Sequence, residues 1–409
     1  ASTGGAGGMG TGGTAGSGTG GASTGGAGGM GTGGMGTGGM GGMGTGGMGG
    51  MGTGGGGGGP TCTPEGVFDG APITAMANKW TWVDFPQAVC RNRTATGIGV
   101  RINPNSTKLV IYLQGGGACF NAVSCGTNPS SYGSTNFGNG PSSGIFDSNN
   151  MANPLKDWSF VYIPYCTGDV HGGNATGVDV PGTGTPKNQS FVGYANIGHY
   201  LKRVVPTFPD VTQILLTGES AGGFGAFYNY DRIAQAFCPR PVDLIDDSGP
   251  PMGDTYMTPC LQQRWRTLYN FNATLPPDCV DCAMPNGGGL VNTWKLLGQK
   301  YINRKLGLVS SDKDNTISTF YGFGKNNCQN IDGLIPSPLS GAEYAAGLNE
   351  VRDMYLRLSP AWSTFYISST NHTWIGSNNS FYNTTVMGTS LPSWVNGIVT
   401  GAAAVHIGP

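Results

Sequence analysis

Short apolar runs alternate with polar loops through most of the chain beyond residue 60. Each run is too short to form a helix and is typical of a strand buried on both faces of a parallel sheet. The pattern predicts strands, in chain order, at 108–113, 159–163, 213–217, 242–245, 305–309 and 363–368.

Two longer stretches between these runs have their apolar positions at helical spacing. The first, 197–205, precedes the third strand, and Pro206 and Pro209 are expected to end it. The second, 221–237, follows the third strand directly. Strands that alternate with helices predict an α/β fold with a mostly parallel central sheet flanked by helices.

The first part of the chain has a different composition. Up to residue 59 only Ala, Ser, Thr, Gly and Met occur, and they include 35 of the chain's 76 glycines. With no large aliphatic or aromatic side chain to bury, such a segment cannot offset the entropy cost of ordering. We predict a disordered Gly/Met/Thr-rich linker over 1–60 and a catalytic domain over 61–409. Binding of Cu(I) by the methionines is the alternative, but evenly spread thioethers are more simply linker composition.

Charge and cysteine content limit the partners and the cellular compartment that can be expected for this protein. With 21 Lys and Arg against 22 Asp and Glu, the net charge is −1, and no basic run is present. Nucleic acid and anionic membranes are therefore not expected partners. No apolar run approaches the roughly 20 residues of a membrane span. Ten cysteines, an even number, indicate an oxidising compartment, so the protein is expected to be secreted or at the cell surface, tethered through the linker.

The Cys279-Val-Asp-Cys282 sequence is best interpreted as structural. A zinc site would need a second close Cys/His pair, which the sequence lacks. A thioredoxin-like site would open a helix after a strand, whereas Pro276-Pro-Asp278 precedes this one. We therefore expect structural disulfides and no metal or cofactor.

A candidate nucleophile lies between the third strand and the second helix. Gly218-Glu-Ser220-Ala-Gly222 has the sequence and position of a nucleophile elbow, a sharp turn that exposes the serine hydroxyl. The amide of Ala221, at the helix start, would stabilise an oxyanion. Further amides are expected from Gly115–Gly117, directly after the first strand.

The serine needs a base and an acid, and the chain has four histidines. His372 follows the last strand, which fits the chain order Ser, Asp, His of this fold class. His171, which precedes the serine, is the alternative base. The acid should follow a strand between Ser220 and His372. Asp314 is favoured, and Asp312 and Asp247 are the alternatives.

Four motifs in order resemble the pectin acetylesterase/Notum family. They are 113–121 (LQGGGACFN), 164–169 (PYCTGD), 218–223 (GESAGG) and 247–249 (DSG). The resemblance spans most of 61–409. The sequences 371–373 (NHT) and 391–395 (LPSWV) are similar to the end of bacterial members.

The resemblance implies an α/β-hydrolase fold, disulfides, no metal, and hydrolysis of carboxylic esters in the secretory or extracellular space. The residues that it implies are a triad of Ser220, Asp314 and His372, oxyanion donors at Gly116, Gly117 and Ala221, and a Cys119–Cys125 disulfide.

Two positions depart from the family pattern. Gln114 replaces the usual acidic residue before the glycines, which removes a local salt bridge. Gly117-Ala118 replaces a bulky aromatic residue, which is expected to remove a wall of the acyl pocket.

The expected function is that of a secreted, monomeric serine carboxylesterase that deacetylates polysaccharide through an acyl-enzyme. Two alternatives stay open at this point. One is an esterase for longer acyl or polyester substrates, and the other is a surface-binding protein with an inactive hydrolase domain.

Overall fold

The structure is a computed structural model and describes residues 66–334 and 336–409. The predicted linker, 1–60, lies outside the described residues, as do the first residues of the predicted domain.

Most of the strands belong to one central sheet. Nine strands pair in the order β1-β2-β4-β3-β7-β8-β9-β10-β13, and the strands from β4 to β13 in this order run parallel. At the other edge β1 and β2 are antiparallel. The strands are β1 Thr81–Val89, β2 Ala95–Arg101, β3 Lys108–Leu113, β4 Ser159–Ile163, β5 Ala175–Val178, β6 Gln189–Phe191, β7 Gln213–Glu219, β8 Val242–Asp247, β9 Leu306–Ser311, β10 Trp362–Ile367, β11 Thr385–Val386, β12 Thr389–Ser390 and β13 His406–Ile407.

Helices connect the parallel strands and cover both faces of the sheet. They are α1 Ala122–Thr127, α2 Ser134–Phe137, α3 Gly193–Thr207, α4 Ala221–Ala236, α5 Pro259–Tyr269, α6 Asn292–Lys300, α7 Asn315–Gly322, α8 Lys325–Cys328, α9 Gly341–Met354, α10 Asn378–Asn383 and α11 Leu391–Val399. Short 3-10 helices lie at Gly144–Phe146, Phe271–Ala273, Val280–Cys282 and Leu356–Leu358.

The fold prediction is confirmed in its main elements. All six predicted strands are present, as β3, β4, β7, β8, β9 and β10, and the sheet is mostly parallel. The expected end of the first helix is wrong by two residues, because α3 continues beyond Val205 through Pro206 to Thr207. A proline in the last turn costs only one backbone hydrogen bond, so the helix tolerates it.

The core lies on both faces of the sheet, because successive side chains of a strand point in opposite directions. In β7, Ile214 and Leu216 pack into the larger apolar cluster with α3, α4 and α5. Leu215, between them, packs into a second cluster with α10 and α11. The sheet is therefore buried on both sides, as its continuous apolar runs predict.

Four disulfides lie within the described residues: Cys90–Cys166, Cys119–Cys125, Cys260–Cys328 and Cys279–Cys282. The structural interpretation of the Cys279 and Cys282 pair is confirmed. Cys260–Cys328 joins α5 to α8.

Candidate active site

The predicted site residues come together at one edge of the sheet. Ser220 follows β7, Asp314 follows β9 and His372 follows β10, and these strands are parallel. Their carboxyl ends therefore meet at the same edge, where ligands bind in sheets of this type.

Ser220 sits on a strained turn between β7 and α4. Its backbone has φ 58° and ψ −122°, a conformation that costs free energy for a residue with a side chain. The Ser220 amide donates to the Asp247 carbonyl at 2.7 Å, which fixes the turn. A Cβ on Gly222 would lie 1.9 Å from the Leu113 carbonyl oxygen, and one on Gly218 would lie 2.3 Å from that of Gly222. The crossing of β3, β7 and α4 thus requires both glycines.

Asp314, which is fully buried, and His372, which is half-buried, form a hydrogen-bonded pair. His372 Nδ1 donates to Asp314 Oδ2 at 2.7 Å. The other oxygen, Oδ1, accepts from the amides of Thr316 and Ile317 at 2.8 and 2.9 Å, so Asp314 also caps α7. His372 Nε2 is buried and has no hydrogen-bond partner among the described residues. His372 and Ser220 line the same cleft.

The two alternative acids contact the backbone around His372 instead of its ring. Asp312 accepts from the Ser369 amide at 3.1 Å. Asp247 Oδ2 accepts from the amides of Trp374 and Ile375 at 2.7 and 2.9 Å. Burial, and next the neighbouring Glu219 charge, raise the pKa of Asp247 to about 7.

His171, the alternative base, is buried behind the glycine run. Its Nε2 lies 2.8 Å from the Gln114 carbonyl oxygen, and burial lowers its pKa to about 4. A neutral ring that donates to this carbonyl is the arrangement expected at neutral pH. His171 thus supports the loop and does not line the cleft.

The loop of Gly115–Gly117 is held by side chains that sequence reasoning missed. Gly116 and Gly117 have φ of 155° and 80°, which favour glycine. Asn128 Nδ2 donates to the Gly116 carbonyl at 2.6 Å, and the Tyr165 hydroxyl donates to the Gly117 carbonyl at 2.7 Å. Because a trans peptide is planar, fixing the Gly116 carbonyl turns the Gly117 amide to the opposite side. Tyr165 lies within the family-like motif 164–169, whereas no sequence signal indicates Asn128.

Ala221 supplies the other candidate donor. It is the first residue of α4, where an amide has no intrahelical acceptor and the helix dipole favours negative charge.

Two spaces of very different size border Ser220. The cleft has a volume of about 560 Å³, and its lining includes Gln114, Gly116, Gly117, Tyr162, Glu219, Ser220 and His372. A second, small apolar pocket, which shares Gly117, Ser220 and Phe320 with the cleft, leaves about 20 Å³ for the centre of a water-sized group. The wall expected to be missing at Gly117 is supplied by α7, because a Cβ on Gly117 would lie 3.0 Å from Phe320 Cζ.

Within the described residues, no group of three or more His, Cys, Asp or Glu side chains is arranged to hold a metal ion. Over the same residues, no helix has the length and apolar character needed to cross a bilayer.

The parallel sheet, the strained serine after β7 and the histidine after β10 define a protein of the α/β-hydrolase class. A sequence model described as pectinacetylesterase matches residues 77–284, which is half of the chain. The chain belongs to the pectinacetylesterase family, as its motifs indicated.

Individual relatives match over shorter stretches. Palmitoleoyl-protein carboxylesterase notum2 of Xenopus laevis is 29% identical over 157 residues, covering 36% of this chain and 30% of the relative. The human palmitoleoyl-protein carboxylesterase NOTUM is 27% identical over 159 residues, covering 36% and 30%. The matched region thus spans about a third of the length of these relatives.

A solved structure matches more of the fold. The Wnt deacylase Notum from Drosophila superposes with a TM-score of 0.58 at 20% identity, covering 80% of this chain and 94% of that chain. At this identity the similarity supports the α/β-hydrolase fold.

Proposed function

We propose that this chain is a serine carboxylesterase that deacetylates polysaccharide through an acyl-enzyme. Ser220 is the nucleophile, His372 the base and Asp314 the acid, and the amides of Gly116, Gly117 and Ala221 bind the oxyanion. The observation that carries the proposal is the hydrogen-bonded Asp314–His372 pair, whose imidazole lines the same cleft as the strained Ser220.

In the first step, His372 Nε2 takes the proton of the Ser220 hydroxyl while Oγ attacks the ester carbonyl. Asp314 keeps the proton on Nδ1, so that Nε2 is the free acceptor, and it stabilises the imidazolium that forms. The negatively charged carbonyl oxygen accepts hydrogen bonds from the amides of Gly116 and Gly117 in the loop and of Ala221 at the start of α4. Loss of one such donor costs about 3–4 kcal/mol in comparable sites.

In the second step, His372 returns the proton to the leaving sugar hydroxyl as the tetrahedral intermediate collapses. The acyl group then remains on Ser220. Water, activated by His372, attacks this ester, releases acetate and restores the hydroxyl.

The size of the cleft and the disulfides support a polymeric substrate outside the cell. The cleft is open and large enough for sugar residues next to the acetylated one. The disulfides fit an oxidising compartment, so we place the protein in the secreted or cell-surface fraction, as a monomer.

The deciding experiment compares the wild type with Ser220→Ala. We expect the wild type to hydrolyse p-nitrophenyl acetate and to release acetate from a panel of acetylated polysaccharides, and the variant to lose both activities. A fluorophosphonate should label the wild type at Ser220 only. Undiminished hydrolysis by Ser220→Ala would refute the nucleophile, and an unreactive wild type would favour an inactive binding protein.

A further inference from the structure

The small pocket beside Ser220 has room for one compact group. The residues that line it are almost all apolar: Gly117, Ala118, Val170, Ala221, Phe224, Trp265, Ile317, Phe320 and Tyr321. A cavity needs about 10–15 Å³ for the centre of one water molecule, so about 20 Å³ accommodates a single methyl-sized group.

The position of His372 decides which part of the ester enters this pocket. His372 must reach the leaving oxygen, and it lines the large cleft but not the small pocket. The alcohol therefore lies in the cleft. The small pocket, which borders Ser220 and the candidate oxyanion donors Gly117 and Ala221, is then the space left for the acyl substituent.

Two aromatic side chains close the pocket. Trp265 comes from α5 and is only 2% exposed, and Phe320 comes from α7, is half-buried and separates the pocket from the cleft, since it lines both. Phe120 lies behind both rings, with centroid distances of 6.4 Å to Trp265 and 6.3 Å to Phe320. Phe224 packs against Trp265 from α4 at 5.8 Å. Neither ring can retreat without disturbing this packing.

We propose that Trp265 and Phe320 are specificity-determining residues that restrict the acyl group to acetyl. The inference rests on the proposed serine esterase activity. Each further methylene would have to displace one of these rings. The relatives named palmitoleoyl-protein carboxylesterases act on a long acyl group, and this pocket is too small for such a chain.

The test measures kcat/KM for p-nitrophenyl acetate, butyrate and hexanoate. One methylene that does not fit costs about tenfold or more, so the wild type should prefer acetate to hexanoate by at least about 100-fold. Phe320→Ala should reduce this preference to about tenfold or less, mainly by accelerating hexanoate hydrolysis. Trp265→Ala should also reduce the preference for acetate. If Trp265→Ala does not fold, the Phe320→Ala measurement alone tests the inference.

Tyr355→Ala is the matched control, because Tyr355 is a half-buried aromatic residue that lines neither space. It should keep the wild-type acyl preference. A wild type that hydrolyses hexanoate and acetate equally well, or a Phe320→Ala variant with an unchanged preference, would overturn the inference while leaving the esterase assignment intact. A wild type that is inactive on all three esters would overturn both.

Discussion

Asp314 bonds two different parts of the structure through its two carboxylate oxygens. One oxygen accepts the amides at the start of α7, and the other orients the His372 ring. The helix thus fixes the carboxylate before any substrate binds.

Replacing Asp314 by Asn should lower kcat by about 10⁴-fold, because an amide can hold the imidazole in the wrong tautomer. The measurement is steady-state hydrolysis of p-nitrophenyl acetate. Asp312→Asn is the matched control and should lose less than about tenfold, since Asp312 contacts the Ser369 amide and the Lys313 ammonium and not the His372 ring. A larger loss in Asp312→Asn than in Asp314→Asn would contradict the assignment of the acid.

Asn128 orients the Gly117 amide by holding the preceding carbonyl. Asn128→Ala should therefore lower kcat by about 10- to 100-fold with little change in KM, because the oxyanion exists only in the transition state. Asn196 is a suitable control, being an equally buried Asn that bonds the Val89 backbone. Asn196→Ala should lose stability with no loss of kcat, and a similar kcat loss in both variants would argue for a general structural effect.

Sequence context predicted that Ser220, Asp314 and His372 follow the ends of apolar strands, but it left Asp312 and Asp247 open as alternatives to Asp314. It could not indicate Asn128 or Phe320. Asn128 acts through a single contact with the loop, and Phe320 covers Gly117 from a helix about 200 residues further along the chain. Neither contact leaves a local pattern.

At the scale of elements, the loop that carries His372 is tied to two neighbouring strand ends. Glu219, at the end of β7, accepts from the Gly376 amide at 2.7 Å and from the Tyr112 hydroxyl at 2.6 Å. Asp247, at the end of β8, accepts two amides of the same loop. The two carboxylates are paired in register across the strands. The histidine loop is thus held by a pair of like charges.

The free energy of unfolding should depend on pH through this pair of carboxylates. The pKa of Asp247 is raised to about 7, so between about pH 4 and 7 the folded state binds a proton that the unfolded state releases. The free energy of unfolding should therefore fall as the pH rises through this window. Asp247→Asn keeps an oxygen for the loop amides and should give a flatter profile in urea unfolding. Parallel profiles for the two proteins would contradict this account.

The antiparallel edge strands β1 and β2 are among the elements that sequence patterns did not predict. Pro86 interrupts β1, and Gly97 and Gly99 interrupt β2, which weakens any strand signal. The glycines are required because a Cβ on Gly97 would lie 2.1 Å from the Val83 carbonyl oxygen. The close packing of these two edge strands thus requires residues that are unusual in strands, and this explains why the sequence pattern did not predict them.

For the whole molecule, the disulfides connect distant segments. Cys90–Cys166 spans 76 residues and links the residue after β1 to the loop after β4, whereas Cys279–Cys282 spans three. The long link should contribute about 4 kcal/mol to stability and the short one about 2 kcal/mol, because loop-closure entropy grows with loop length. Denaturant unfolding of the paired Cys→Ser variants measures both. A larger loss from the Cys279/Cys282 pair would contradict the entropic explanation.

The Cys260–Cys328 link bears on selectivity as well as on stability. Cys260 lies on α5, which carries Trp265, and Cys328 lies on α8, which directly follows the helix that carries Phe320. The two walls of the acyl pocket therefore belong to segments joined by a covalent bond, while Ser220, Asp314 and His372 lie outside the joined helices. Reduction of this bond would remove the covalent link between α5 and α8. We therefore expect a reducing environment to weaken the preference for short acyl groups, measured as the ratio of acetate to hexanoate hydrolysis with and without reductant.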